Sequence, residues 1–337
     1  MSTPREDGLR MPAEWAPHQA TLMEWPTITR AEFWGDLFDR AKADFAAMAN
    51  AVAAFEPLVM LTDPAQAVEA RAMCGEGVEI LPIPIDDSWM RDNGPIFVTD
   101  GRGGVALVHF RFNAWGEKYL PYDRDAQIPE RIASHLGMRR YQAPMILEGG
   151  SFFVDGEGTL LTTEQCLLHP NRNPDMTREQ IEQTLGDYLG IEHVIWLGQG
   201  HPLDRDTDGH IDAIAQYLRP GVILLDAPQD PADAYHATGQ DNLARLRAAY
   251  DAADRPIEVV VFEAGTPSST AYMNHYLVNG GVIVPADGEP NDDAALSQLR
   301  AAYPDREVVT VPGSTILAGG GGPHCITQQI PVGTPLT

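Results

Sequence analysis

Residues 319–331 read GGGGPHCITQQIP: four glycines, a proline and a histidine, then Cys325 at the mouth of a strand-like run. A glycine-bearing turn leads into an apolar strand again in DNGPIFV (92–98), EGGSFFV (148–154), DGHIDAIAQYL (208–218) and NGGVIVP (279–285). Marked by Gly94, Gly150, Gly209, Gly280 and Gly321, these turns stand 56, 59, 71 and 41 residues apart. Such a recurrence predicts repeated supersecondary units. TLMEWP (21–26) adds one more strand of the same kind at the front. If the strand after Cys325 pairs with it, five units close into a ring and turns from distant parts of the chain gather about one axis, where glycine lets backbones crowd. The alternative is an open mixed sheet in which the glycines coincide by chance.

Between these turns, helical and strand patterns alternate, an α/β signature. The spacing predicts helices from Glu32 to Phe55 behind a Thr29/Glu32 capping box, from Asp63-Pro64 to Gly75, from Thr177 to Gly190, from Asp241 to Ala253, and from Asp292 to Pro304. Short β-branched runs begin at Leu58, Val78, Val105, His193, Gly221, Ile257 and Glu307. No low-complexity or Ser/Pro-rich linker interrupts them, so residues 1–337 are expected to form a single domain.

Composition narrows the function. With 48 acidic residues against 23 basic ones, the formal charge of −25 repels nucleic acid and anionic membranes and attracts cations. Solubility alone is the blander reading of that charge. No run of eighteen apolar residues and no basic–apolar leader is present, which predicts a cytoplasmic protein without membrane attachment. Three cysteines at unrelated spacings, Cys74, Cys166 and Cys325, fit neither a disulfide framework nor a structural zinc site.

Unusual polar residues cluster at the strand-leading turns: DDSWMRDNGP (86–95), LEGGS (147–151), DTDGHID (206–212), NHY (274–276) and GPHCITQQ (322–329). Cys325 follows glycine-rich backbone that exposes a thiol and lowers its pKa, the setting of a nucleophile. The competing reading is a small buried hydrophobe, the one adopted for Cys74 and Cys166. His210 and Asp212 stand two apart, so on a strand they share a face. A metal bound by His, Asp and Cys is the alternative use of the pair. Asp92 and Glu148 precede glycines as turn formers do. Together with Asp212 they also make three carboxylates suited to a flat, multi-donor cation, which is a guanidinium. Trp89, three residues before Asp92, offers an indole to lie along it, or packs as ordinary core.

The chain as a whole resembles the agmatine deiminase family, close kin of the bacterial-type peptidyl-arginine deiminases. The likeness runs through MPAEWAPHQATLMEWP (11–26), DDSWMRDNGP, AWG (114–116), LEGGSFFVDGEGTLLTTEQCLLHPNRNP (147–174), DGHID and GGGGPHCITQQIP, nearly the whole sequence. The resemblance implies a five-bladed α/β propeller of the pentein type. It implies Cys325 as the nucleophile forming a covalent amidino intermediate and His210 as general acid and base. Asp92 and Asp212 would grip the guanidinium, Glu148 would serve guanidine and histidine together, and Trp89 would line the substrate channel. The implied reaction is hydrolysis of agmatine to N-carbamoylputrescine and ammonia, with neither metal nor cofactor required. Free arginine, C-terminal peptidyl arginine or a guanidino acid are alternative substrates, and amidino transfer, a metal-dependent hydrolase and a non-catalytic amine binder are alternative activities. A homodimer is compatible with a chain of this size.

Three departures from the family pattern bear on substrate choice. Gly322-Pro323 stands where the agmatine enzymes are expected to carry Asn-Ile, Asp208 stands where asparagine precedes GHxD, and the segment from Glu263 to Tyr276 is shorter.

Overall fold

The computed structural model describes residues 2–263 and 271–337. The shortened segment after Glu263 therefore lies largely outside the described residues. Among the described residues no helix is long and apolar enough to cross a membrane.

Among the described residues five small sheets make up the β-structure, each built to one plan: a first strand antiparallel to a middle strand, which runs parallel to the next. In one, Ile96–Thr99 pairs with Gly104–Arg111 and that with Arg140–Ile146. The next three order Phe152–Val154, Thr159–Thr163 and His193–Leu197; then Ala215–Arg219, Val222–Asp226 and Glu258–Phe262; then Tyr276–Val278, Gly281–Pro285 and Glu307–Val311. The fifth joins the two ends of the described chain. Thr327–Pro331 lies antiparallel to His18–Glu24, which runs parallel to Leu58–Thr62, itself parallel to Val78–Pro82. The expected closure is thus present, and the architecture is the five-bladed pentein propeller.

Hydrophobic patterning explains the layering. Thr159–Thr163 and Gly281–Pro285 are buried along their whole length, as expected for middle strands covered on both faces. Crossover helices supply the cover. Phe38–Ala53 buries Ala41, Phe45, Met48, Ala49 and Val52 against Met60, Val78 and Trp34. Arg178–Leu189 starts at the Thr177/Gln180 capping box and stops at Gly190 in left-handed conformation.

Several sequence expectations are corrected. The helix predicted from Glu32 to Phe55 is broken: Ala31–Trp34 ends at Gly35, whose φ of +53° halts it, and the long helix begins at Phe38. Thr29 caps nothing there, because Arg30 is the N-cap residue of the first piece and has no side-chain cap bond. The helix placed at Asp241–Ala253 runs from His236 to Arg247. Ile128–Leu136, a helix behind Pro129, and the strand Arg140–Ile146 carried no signal strong enough to be predicted. TLMEWP forms a middle strand rather than one more first strand, since it is paired on both sides. Gly280 sits in the hairpin joining Tyr276–Val278 to Gly281–Pro285; the turn equivalent to the others is Tyr272–Asn274.

These strand-leading turns touch in sequence around the ring. Met90–Asn93 meets Gly149–Ser151, that meets Ile211–Ala213, and that meets Tyr272–Asn274. Arg91 locks the last gap: its N–H donates to the Cys325 carbonyl (3.1 Å), Nε to the His324 carbonyl (3.3 Å) and Nη1 to Gln329 Oε1 (2.9 Å). The side chain is buried, so its replacement leaves acceptors with no water to take over. Arg91→Met, which keeps the aliphatic stem, is expected to lower stability by about 3 kcal/mol, seen as a lower urea midpoint at unchanged slope.

Candidate active site

Each turn that leads into a first strand delivers at least one polar side chain inward. Asp92 comes from Met90–Asn93, with Trp89 just before it. Glu148 precedes Gly149–Ser151, His210 and Asp212 flank Ile211, Asn274 ends Tyr272–Asn274, and Cys325 stands two residues before Thr327–Pro331. His210 and Asp212 were expected on one face of a strand. They lie instead in a 3-10 turn, and the strand begins only at Ala215, because Gly209 at φ +98° turns the chain before it can extend.

Gly150 marks where the groups converge. A Cβ there would lie 2.7 Å from His210 Nδ1, 2.8 Å from Asp92 Oδ1 and 2.9 Å from Asp212 Oδ2, so only glycine leaves this space open. Its N–H donates to Asp92 Oδ1 at 3.0 Å. The Cys325 thiol donates to Asp212 Oδ2 at 3.4 Å, and Asn274 brackets the cysteine by donating Nδ2 to Sγ (3.1 Å) and accepting from its backbone N–H (3.2 Å). His210 lies 3.8 Å from Asp92 through Nδ1 and 3.8 Å from Glu148 through Nε2. A Cβ on Gly321 would strike Trp89 at 2.5 Å and Cys325 Sγ at 3.2 Å. The glycine run thus brings indole and thiol into one small cavity, which Asp92 also lines.

Supporting contacts that the sequence did not reveal fix these groups. Trp115, held at φ +55° in the AWG segment, donates Nε1 to Asp92 Oδ2 (2.9 Å). His324 bridges Asp212 Oδ2 (2.9 Å) and Glu14 Oε2 (2.8 Å) through its two ring nitrogens. Arg172 donates Nε to Glu148 Oε1 (2.7 Å) and Nη1 to Asp208 Oδ2 (2.8 Å), while Lys118 donates to Asp208 Oδ1 (2.7 Å). The charge at Asp208 is therefore matched by Lys118 and Arg172. Gly322 has a local reason too, since a Cβ there would press on Asn274 Oδ1 at 2.7 Å.

Burial raises the Asp92 pKa to about 6; His210 opposes the rise, and Asp212 and Glu148 add to it. Glu148 is held below its ordinary range despite burial, chiefly by Arg172 and His210, and Asp212 likewise by His324 and His210. Although burial opposes charge on His210, Asp92, Cys166 and Glu148 keep the imidazolium favoured. Cys325 departs from expectation. It is only 6% exposed, and burial followed by Asp212 and Asp92 pushes its thiol well above the usual range, not below.

Residues 10–331 match the model of the Porphyromonas-type peptidyl-arginine deiminases. The chain belongs to that family. Among curated relatives, the agmatine deiminase of Stutzerimonas stutzeri is 43% identical, aligned over 98% of this chain and 97% of its own. The Pseudomonas aeruginosa agmatine deiminase is 42% identical over the same shares. The solved agmatine deiminase of Enterococcus faecalis superposes with a TM-score of 0.93 at 35% identity, covering 98% of both chains.

A thiol held protonated by its surroundings alkylates slowly. The rate of Cys325 carbamidomethylation by iodoacetamide in the ligand-free protein, followed by mass spectrometry, is expected to climb about tenfold per pH unit from neutrality past pH 9 without a plateau. A plateau below pH 8 would contradict this reading of the site.

Proposed function

We propose that this protein is a guanidine deiminase that hydrolyses agmatine to N-carbamoylputrescine and ammonia. The observation carrying the proposal is the convergence of one thiol, one imidazole and three carboxylates beside Gly150 and Gly321. Asp92 and Asp212 bind the planar cation, Trp89 covers it, and Glu148 holds His210. The guanidinium's charge offsets the two carboxylates that keep Cys325 protonated, so substrate binding itself favours the thiolate, the thiol proton passing to solvent. Sulfur then bonds to the central carbon, and ammonia departs with a proton from His210. His210 next takes a proton from water as the oxygen attacks the same carbon; the carbon–sulfur bond breaks and the ureido product leaves. In sum, one water enters and one ammonium leaves for each guanidinium consumed.

The walls favour agmatine over a guanidino acid. A cavity of about 760 Å³ opens from His210, Asp212 and Cys325, and its described lining carries Asp204, Asp206, Asp226, Asp230 and Asp233. No lysine or arginine is among the described residues lining either cavity. Arg172 is 3% exposed and committed to Glu148 and Asp208, and Arg111 lines neither. An ammonium tail is welcome there and a carboxylate is not.

Wild type is expected to release ammonia and ureido product from agmatine in equal amounts, and Cys325→Ala to lose at least about 10³-fold in kcat/KM. Agmatine should exceed free arginine by about 100-fold or more in the same constant. Full activity in the alanine variant removes the nucleophile assignment, and a preference for arginine removes agmatine as substrate.

Binding should also depend on acid. A bound cation favours ionised Asp92, whose pKa in the free protein is about 6. Agmatine affinity for Cys325→Ala, measured by calorimetry, is expected to be level above neutrality. It should weaken by up to about tenfold per pH unit below 6, with proton release on binding. An affinity flat from pH 5 to 8 would show that Asp92 does not meet the cation.

A further inference from the structure

Behind the imidazole lies a set of groups that this mechanism does not use as a set. Glu148, Cys166 and His210 are 1%, 0% and 1% exposed, and one ligand atom from each lies within 4.8 Å of the others. Neither ring nitrogen of His210 has a hydrogen-bond partner among the described residues. Nδ1 faces Asp92 and the open space at Gly150, whereas Nε2 faces Glu148. Cys166, expected from sequence to be a small buried hydrophobe, makes a long contact of 3.7 Å to the Thr207 carbonyl.

We propose that Glu148, Cys166 and His210 bind a soft divalent cation of the zinc class, and that its binding silences the enzyme by withdrawing the imidazole from proton transfer. The regulatory half of this rests on the role given to His210 above. A thiolate, an imidazole and a carboxylate are a zinc donor set, and three protein ligands leave a fourth position open. Tetrahedral zinc places neighbouring donor atoms about 3.4–3.6 Å apart, so the present arrangement closes on the ion with shifts of about half an ångström per side chain. The outer contacts that fix such ligands are already in place. Arg172 holds the other oxygen of Glu148 at 2.7 Å, and Asp92 stands beside Nδ1 of His210.

Charge and access agree with this. Asp92 and Asp212 add negative potential, opposed by Arg172 on Glu148 and His324 on Asp212, and His210 lines the larger, acidic cavity through which a cation enters. Binding removes the thiol proton of Cys166 and the proton on Nε2 of His210, both passing to solvent, so affinity rises with pH. Because Nδ1 still faces the substrate space, metal and agmatine are not mutually exclusive, and zinc lowers kcat rather than raising KM.

The test uses the full chain stripped of metal, with zinc for inhibition and cobalt(II) as a spectroscopic stand-in. Wild type and Cys325→Ala are both expected to retain one metal per chain and to show a near-ultraviolet thiolate-to-cobalt band. Cys166→Ser should lose the band, and its half-inhibitory zinc concentration should rise at least about tenfold. Inhibition should reverse with chelator and persist at saturating agmatine. A band that survives in Cys166→Ser, a band lost in Cys325→Ala, or relief of zinc inhibition by excess agmatine would place the metal on Cys325 and overturn the proposal. If Cys166→Ser does not fold, the Cys325→Ala spectrum decides alone, since no thiolate band there removes Cys166 as a ligand. Should wild type fail to turn over agmatine, the functional reading falls, while metal content and spectrum still judge the site.

Discussion

Three carboxylates, Asp92, Glu148 and Asp212, are buried around one imidazole, and their mutual repulsion is the constraint the structure is built to hold. Unpaired acids in such a place would take up protons or draw in water. Different cations balance two of them. Arg172 secures Glu148, His324 secures Asp212, and Asp92, with only Trp115, the Gly150 N–H and the more distant His210, keeps a pKa near 6. The arrangement leaves a deficit of positive charge at the position of Asp92. Under the proposed function, affinity, thiol activation and selectivity among amines follow from that one electrostatic imbalance rather than from separate devices.

The propeller makes that imbalance sustainable. Fixed charges of like sign can be crowded only where the backbone cannot relax, and each of the groups sits on a short turn between a crossover and a buried first strand. Neighbouring turns brace one another, and the glycines at 150, 321 and 322 admit side chains where any Cβ would intrude. Outside the turns, Lys118, Arg172 and Asn171 converge on Asp208, so its charge is absorbed without disturbing Glu148.

Much of this could be read from the sequence because the site and the fold share one signal. The glycine turns that marked the repeat also carry Asp92, Glu148, His210, Asp212 and Cys325, so finding the period found the residues. The reading failed where the repeat was misphased. Taking Gly280 for the fourth turn passed over Asn274, which lay within the quoted NHY and proves to bracket Cys325. Trp115, His324 and Arg172 were invisible as partners for another reason. Their bonds to Asp92, Asp212 and Glu148 span 23, 112 and 24 residues, and no local pattern encodes which distant carboxylate a buried cation or indole will meet. Thiol pKa was misjudged because glycine-rich backbone suggested exposure, while the ring closes over the sulfur and sets two acids beside it.

The pairing of His18–Glu24 with Thr327–Pro331 also has a temporal meaning. Translation delivers the acids and the histidine well before the sulfur, and the strand at the front waits unpaired on one side for a partner some three hundred positions downstream. A ribosome-bound chain that has not yet exposed residue 325 thus holds the acids and His210 without the Cys325 thiol beside them. The cluster is complete only when the circle shuts, because Cys325 reaches Asp212 and Asn274 from the start of the strand that closes it.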